Sequence, residues 1–183
     1  MNTPFPGPAC TPAEIRTARL DLVPLRVGHA EEMAVVLGDR ALHTFIGGAP
    51  DDVAALRVRY RRMLAGSPDP GVSWLNWVVR LRDGGGEPCL VGTVQATVVR
   101  GGREGGSVAE VAWVIGTPWQ GRGFASEAAR GLVDWLAERH VRRFVAHVHP
   151  DHGASAAVAA AAGLAATDVV EDGEVRWEAR RDG

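Results

Sequence analysis

The stretch that most constrains this chain runs from Val111 to Ala128: Val-Ala-Trp-Val-Ile-Gly-Thr-Pro-Trp-Gln-Gly-Arg-Gly-Phe-Ala-Ser-Glu-Ala. Val111 to Ile115 is apolar and rich in β-branched residues, which predicts a strand covered on both faces. Pro118 ends it, because proline has no N–H for a ladder. Gln120 to Gly123 is a turn with two glycines. Each can take φ > 0, and neither shields its own amide with a side chain. From Phe124 the period changes: Phe124, Ala128, Gly131, Leu132, Trp135 and Leu136 share one helical face. The stretch therefore predicts strand, tight turn, helix.

That order has a chemical use. The first N–H groups of a helix lack intrahelical acceptors and sit at its partially positive end. Glycines just ahead of them let an anion come close, which makes a phosphate or pyrophosphate site. A P-loop is excluded, because it needs a Lys and the chain contains none. A dinucleotide fingerprint is also excluded: Gly121-Arg122-Gly123-Phe124-Ala125-Ser126 lacks the third glycine, and the strand comes late in the chain. A glycine turn without a ligand is the plain alternative.

At 183 residues the chain is expected to form one domain with a sizeable core. Its net charge of -2 gives no electrostatic case for nucleic acid, and no apolar run has membrane-spanning length. Residues 1–12 carry four prolines and lack a basic segment followed by an apolar one. They read as a loose tail, taken to residue 16, with the domain over 17–183. Cys10 and Cys89 read as two unpaired thiols of a cytoplasmic protein. All 20 basic residues are Arg, and Ala, Gly and Val are abundant, a bias that points to a bacterial source. Without Lys, no Schiff base can form on this chain.

Taken in order, Arg19 to Arg26 alternates as a first strand, with Leu20 and Leu22 on one side and Asp21 and Val23 on the other. Helices are expected at His29–Leu37, over a turn at Ala41–Ile46, and from Asp51-Asp52 to Leu64. Strands are expected at Trp74–Arg82, Cys89–Arg100 and Ser107–Ile115, joined by glycine hairpins. The helix from Phe124 ends near Arg139. Then come a strand at Arg143–His149, a helix at Gly153–Ala162, and strands at Leu164–Val170 and Glu174–Ala179 with a turn at Asp172-Gly173.

Gln120-Gly121-Arg122-Gly123-Phe124-Ala125 resembles the Gln/Arg-x-x-Gly-x-Gly/Ala motif of the GNAT superfamily of acetyl-CoA-dependent N-acetyltransferases. The order of elements resembles that family over nearly the whole chain after Thr17. Thr17-Ala18-Arg19-Leu20-Asp21-Leu22-Val23-Pro24-Leu25 is similar to the opening of its Rim-type branch, named for ribosomal-protein N-terminal acetyltransferases. So is Val148-His149-Pro150-Asp151-His152-Gly153-Ala154-Ser155, with His152 where that branch usually has Asn. The resemblance implies an α+β fold, layered α/β/α. A central, mixed, mostly antiparallel sheet of about seven strands would splay between the fourth and fifth strands, with helices on both faces. It implies transfer of the acetyl group of acetyl-CoA to a primary amine, on a protein N-terminus or a small molecule, by direct attack in a ternary complex. Many relatives pair, so a homodimer is expected.

The resemblance also assigns residues. The amides of Gln120, Gly121, Arg122, Gly123, Phe124 and Ala125 would anchor the cofactor, with Ser126 adding a hydroxyl and Arg122 a charge. Main-chain groups of Trp113, Val114 and Ile115 would pair with the pantetheine arm, and one of their amides would face the thioester oxygen. His152 stands where Asn usually helps hold that arm, and one ring N–H can still donate. Glu110 is the candidate general base, because an ammonium near neutral pH must lose a proton before it can attack. A strand Glu facing solvent is the alternative. Ser155 is the candidate acid for the leaving thiolate and a cofactor contact; it equally suits a helix cap. The only Tyr, Tyr60, lies far away in sequence. His147, His149 and His152 invite a metal reading, but no carboxylate or thiolate cluster accompanies them and no metal is expected; His149 is the better candidate for lining an acceptor pocket. Trp74 or Trp77 would flank that pocket. The competing reading is a non-catalytic acyl-CoA-binding or regulatory module of the same fold.

Overall fold

The computed structural model describes residues 11–82, 86–101 and 106–181. Cys10, most of the expected tail, and the centres of the hairpins at 83–85 and 102–105 lie outside them. In chain order the elements are β1 (Ile15–Arg16), β2 (Leu20–Pro24), α1 (Ala30–Val36), α2 (His43–Ile46), α3 (Val53–Ala65), β3 (Val72–Leu81), β4 (Cys89–Val99), β5 (Ser107–Ile115), α4 (Phe124–Ala137), β6 (Val141–Val148), α5 (Gly153–Ala161), β7 (Ala165–Glu171) and β8 (Glu174–Arg180). The eight strands make one open sheet in the order β1-β2-β3-β4-β5-β6-β8-β7. Every neighbouring pair is antiparallel except β5 and β6.

The sheet has eight strands where about seven are expected, and the added strand is β1. Ile15 pairs with Leu22 and is buried. The indole of Trp77 donates to the Ala13 carbonyl at 2.8 Å. The residues just before Thr17 are therefore packed, because an apolar Ile within a polar stretch finds a sheet edge to cover. Elsewhere local chemistry sets the boundaries. Asp52 caps α3, its side chain accepting from the Ala55 amide at 2.8 Å. Asp172 and Gly173 both take positive φ, 51° and 84°, which suits the tight hairpin joining β7 to β8.

The strands alternate between two cores. Leu20, Leu22, Leu75, Trp77, Val79, Ala109 and Val111 face α4 and α5 and pack with Phe124, Ala128, Leu132 and Leu136. Val78 and Leu90 face the other way and pack with α1 and α3 through Met33, Val36, Leu56 and Tyr60. Glu110, Ala112 and Val114 alternate out of phase with the first set and so lie on the α1/α3 side. Burial pushes the Tyr60 phenol up to about 12; this tyrosine is a core residue.

Asp21 is the buried charged side chain among the described residues. Burial alone would raise its carboxyl. Hydrogen bonds from Arg80 at 2.8 Å and Arg82 at 2.5 Å outweigh that and hold it below the ordinary carboxylate value. Arg82 also donates to the carbonyls of Thr17, Ala18 and Leu20, so one guanidinium fixes the turn between β1 and β2.

Candidate active site

The parallel pair β5 and β6 is bonded only from Ser107–Val141 to Glu110–Val145. Beyond Glu110, β5 continues to Ile115 paired with β4 alone, so its other edge is open. This is the expected splay. One reason β5 holds its line here is Gly92 on β4. A Cβ at Gly92 would lie 2.1 Å from the Val114 carbonyl oxygen, so only glycine permits this approach.

A cleft of about 540 Å³ opens at the splay. Its walls include Trp113, Val114 and Ile115 of β5, the turn residues Gln120, Gly121 and Gly123, and Phe124, Ala125 and Ser126 at the start of α4. His152 and Ser155 line the opposite wall. The structure thus gathers most of the residues expected to hold a cofactor. Gly121 and Gly123 take φ of 72° and 78°. Gly123 is the N-cap of α4 and offers no side chain, so the helix is uncapped by any side chain. The first α4 amide with a helical acceptor is that of Glu127, which donates to Gly123 at 3.0 Å. The amides of Phe124, Ala125 and Ser126 are left for a ligand.

Two residues of the turn have partners of their own. The Gln120 amide donates to Thr117 at 3.3 Å, and its side chain donates to the Ile115 carbonyl at 2.9 Å. Gln120 therefore braces the turn against the end of β5 while it lines the cleft. Arg122 does not line the cleft. Its guanidinium stacks on the Phe124 ring at 4.8 Å, beside that of Arg19 at 4.6 Å.

Trp113 and Ser155 meet across the cleft, the indole N–H donating to Ser155 Oγ at 3.2 Å. The Ser155 hydroxyl keeps its own proton to give. Its backbone amide donates to His152 Nδ1 at 3.1 Å, so His152, not Ser155, caps α5. That bond places the neutral ring's proton on Nε2, the remaining donor. The His152 ring packs on Phe45 at 4.1 Å. Phe45 and Ile46 of α2 form a rim of the cleft and are exposed. Sequence reasoning missed this rim; its signal was the Phe-Ile pair ahead of Gly47-Gly48.

Glu110 stands on the sheet face away from Ser155, at the last paired position before the splay. Its carboxylate meets His147 Nδ1 at 3.2 Å, and His147 Nε2 meets Glu171 at 3.0 Å. Ionised carboxylates only accept, so the array is satisfied when the ring donates from both nitrogens or a carboxyl holds a proton. The His147 ring is thereby held between the two carboxylates, with its Nδ1 against Glu110. Nothing in the spacing of Glu110, His147 and Glu171 announces it. His149 lies just beyond the end of β6, with its ring centroid 5.4 Å from that of Phe45. Among the described residues no three His, Cys, Asp or Glu side chains converge on a metal position. Trp77 is core, whereas Trp74 is exposed on the Glu110 face.

The start of α4 is tied to the first strands through Glu127. Burial would raise its carboxyl, but hydrogen bonds from the Thr17 hydroxyl, the Arg19 amide and the Arg19 guanidinium hold it below the ordinary value.

A family profile described as an acetyltransferase (GNAT) domain matches residues 19–165. No curated protein sequence matches the chain. Among solved structures, an acetyltransferase from Agrobacterium tumefaciens is 25% identical with a TM-score of 0.67, covering 99% of each chain. A ribosomal-protein-S5-alanine acetyltransferase from Vibrio fischeri is 16% identical with a TM-score of 0.72, covering 93% of this chain and 98% of that one. A microcin C7 self-immunity acetyltransferase in complex with acetyl-CoA and AMP is 13% identical with a TM-score of 0.70, covering 90% and 93%. No helix among the described residues is long and apolar enough to cross a membrane. The profile spans most of the chain, the fold and cleft agree with it, and the chain therefore belongs to the GNAT acetyltransferase family, enzymes that take their acetyl group from acetyl-CoA.

Proposed function

We propose that this protein transfers the acetyl group of acetyl-CoA to a primary amine by direct attack in a ternary complex. The observation that carries the reading is the uncapped start of α4. Three free amides behind two left-handed glycines face a cleft that opens where β5 and β6 part. The donor set suits an anion: backbone N–H groups and a helix N-terminus, with no carboxylate lining the cleft. The amides of Gly121 and of Phe124 to Ser126 would hold a pyrophosphate. The free edge of β5 from Trp113 to Ile115 would hold an amide-bearing arm and offer an amide to a developing oxyanion. Glu110 removes the ammonium proton, directly or through water, and His147 positions its carboxylate. Ser155 returns a proton to the leaving sulfur. The base and the acid stand on opposite faces of the sheet, and the splay connects them.

Within the family, the Thr17–Leu25 and Val148–Ser155 segments favour the Rim-type branch. The reading includes a cytoplasmic setting, in keeping with the free Cys89 thiol, and a homodimer, which light scattering tests. Calorimetric titration with acetyl-CoA, free CoA and ATP tests the cofactor site. Micromolar binding of both CoA species and none of ATP is expected. Absence of CoA binding would sink the assignment. Full retention of function in a Glu110→Gln variant would favour a non-catalytic CoA binder.

A further inference from the structure

The sheet face that carries Glu110 holds a second cavity. It has a volume of about 390 Å³ and lies between α3 and strands β3 and β4, where Arg59, Arg62, Trp74, Asn76, Gln95 and Thr97 line it. Register places Trp74 opposite Thr97, and Thr97 opposite Glu110. One row of side chains therefore runs from the cavity to the candidate base on a single face. Neighbouring strands lie about 4.8 Å apart, so the backbones of Trp74 and Glu110 are about 10 Å apart.

The lining is made for recognition more than for packing. Asn76, Gln95 and Thr97 present amide and hydroxyl groups that make no side-chain hydrogen bond among the described residues. Trp74 is 36% exposed. The charge is polarised along the row. At the α3 end, Arg59 pairs with Asp51 at 3.1 Å, while Arg62 pairs with no carboxylate among the described residues. At the splay end, Arg143 and Arg176 pair with Glu178, and Arg176 also pairs with Glu171. Those four charges offset one another and leave Glu110, with His147, as the acid end. The face is thus basic at one end and acidic at the other.

We propose that this cavity is the acceptor subsite and that the acceptor carries both charges. Its primary amine lies at Glu110, its anionic group lies on the Arg62 guanidinium, and an extended body covers at least the stretch of about 10 Å from Glu110 to Trp74. The proposal deepens the acetyltransferase reading and rests on it. A guanidinium fork matches a carboxylate or phosphate in two parallel hydrogen bonds, and an indole face covers an apolar body. In the transfer, the ammonium first gives a proton to the Glu110 array. Its nitrogen then forms the C–N bond as the thioester C–S bond breaks, and the electron pair leaves on sulfur. The second nitrogen proton goes to that sulfur, and the product keeps its anion on Arg62.

The test uses matched probes in a thiol-release assay with acetyl-CoA. The tripeptide Ala-Ala-Phe spans the required length, and its C-terminal amide removes the anion alone. Aminohexyl phosphate against aminohexanol makes the same comparison for a phosphate. The anionic member of at least one pair is expected to show a KM lower by about tenfold. Which pair shows it separates carboxylate from phosphate. Arg62→Gln is expected to erase the preference, and Arg62→Lys to restore part of it. Arg61→Gln, on the same helix but outside the cavity, is expected to keep it. The proposal is overturned if neither pair shows a preference, if neither is acetylated, or if Arg62→Gln leaves the preference intact. Calorimetry on the same preparations separates the two levels. Loss of acetyl-CoA binding itself sinks the enzyme reading and this one together, whereas retained binding without anion preference sinks only this one.

Discussion

Single residues at the splay divide into those that hold a shape and those that carry a charge. Gly123 holds a shape. Its φ of 78° is a region that L side chains rarely adopt, and a Cβ there would sit 3.4 Å from Arg19 Nη2. Gly123→Ala is expected to cost about 1 kcal/mol in stability. It should weaken acetyl-CoA binding by about tenfold, because the methyl group narrows the approach to the amides of α4. Calorimetry and thermal unfolding on one preparation check both effects, and unaltered acetyl-CoA affinity would show that the turn does not meet the anion. Glu110 carries a charge. Glu110→Gln is expected to lower turnover about a hundredfold while leaving acetyl-CoA affinity unchanged. The deficit should shrink as pH rises towards the acceptor's own pKa, about 8 for an α-amino group, where the amine sheds its proton unaided. A deficit that stays constant across that range would assign Glu110 to something other than proton removal. At this scale the sequence was informative where chemistry lies in one short stretch: the two glycines and a carboxylate within an apolar strand were legible. The His147 array was not, because its partners lie 37 and 24 positions away and only the registers of β5, β6, β8 and β7 bring them together. The Gln120 side chain, a strut for the end of β5, was not legible either, because nothing in the turn's sequence marks Ile115 as its acceptor.

Among the elements, α4 does two jobs, and they constrain each other. Its buried face closes the larger core through Ala128, Leu132 and Leu136, and its first turn presents amides to the cleft. The helix must therefore be fixed in position along its axis, and the β1–β2 turn does the fixing. The Glu127 carboxylate takes three donors from Thr17 and Arg19, while Gly131, one turn on, lets Thr17 come close. A Cβ at Gly131 would lie 2.8 Å from Thr17 Cγ2. The methyl cannot swing aside freely, since the Thr17 hydroxyl is bonded to both Leu20 and Glu127. Gly131→Ala therefore sets a helix-propensity gain of about 1 kcal/mol against an overpacking penalty of about 1–3 kcal/mol. A net loss of about 1 kcal/mol is expected. Thr17→Ser removes the methyl and keeps the hydroxyl, so it should return the double variant to near the parent stability or above. Urea midpoints for the two single variants and the double variant check this, and additivity would refute the contact. The helix and its apolar face were readable from periodicity alone. Its anchor was not, because Ile15 lies in the segment that reads as tail and the partners Thr17 and Glu127 lie 110 positions apart. A two-residue strand is also too short to show a period.

For the molecule as a whole, the carboxylates that fasten distant parts of the chain share one pH signature. Asp21 joins β2 to β3, Glu127 joins α4 to the first strands, and Glu178 joins β8 to β6. In each, burial works to raise the carboxyl, and hydrogen bonds and charge from Arg, with the Thr17 hydroxyl in the case of Glu127, bring it below its ordinary value of 3.8 for Asp21 or 4.5 for the two Glu. The His29 ring, lowered chiefly by burial with the Arg26 charge adding to it, acts in the same sense from its ordinary value of 6.5. A group whose folded pKa lies below its unfolded one binds fewer protons in the folded state. Its contribution is complete above the unfolded value and is lost as pH falls through the folded one. Stability is therefore expected to be level above about pH 7, to slip slightly through the His29 range, and to fall steeply below about pH 4.5, where the three carboxylates act together. Urea unfolding as a function of pH measures this. Glu127→Gln should lower the plateau, since its donors lose a charged acceptor, and should flatten the acid limb, since one of the three groups no longer titrates. An acid limb in Glu127→Gln as steep as the parent's would mean that the depressed carboxylates do not set the molecule's acid limit, and would place that limit in general charge repulsion among the twenty arginines instead.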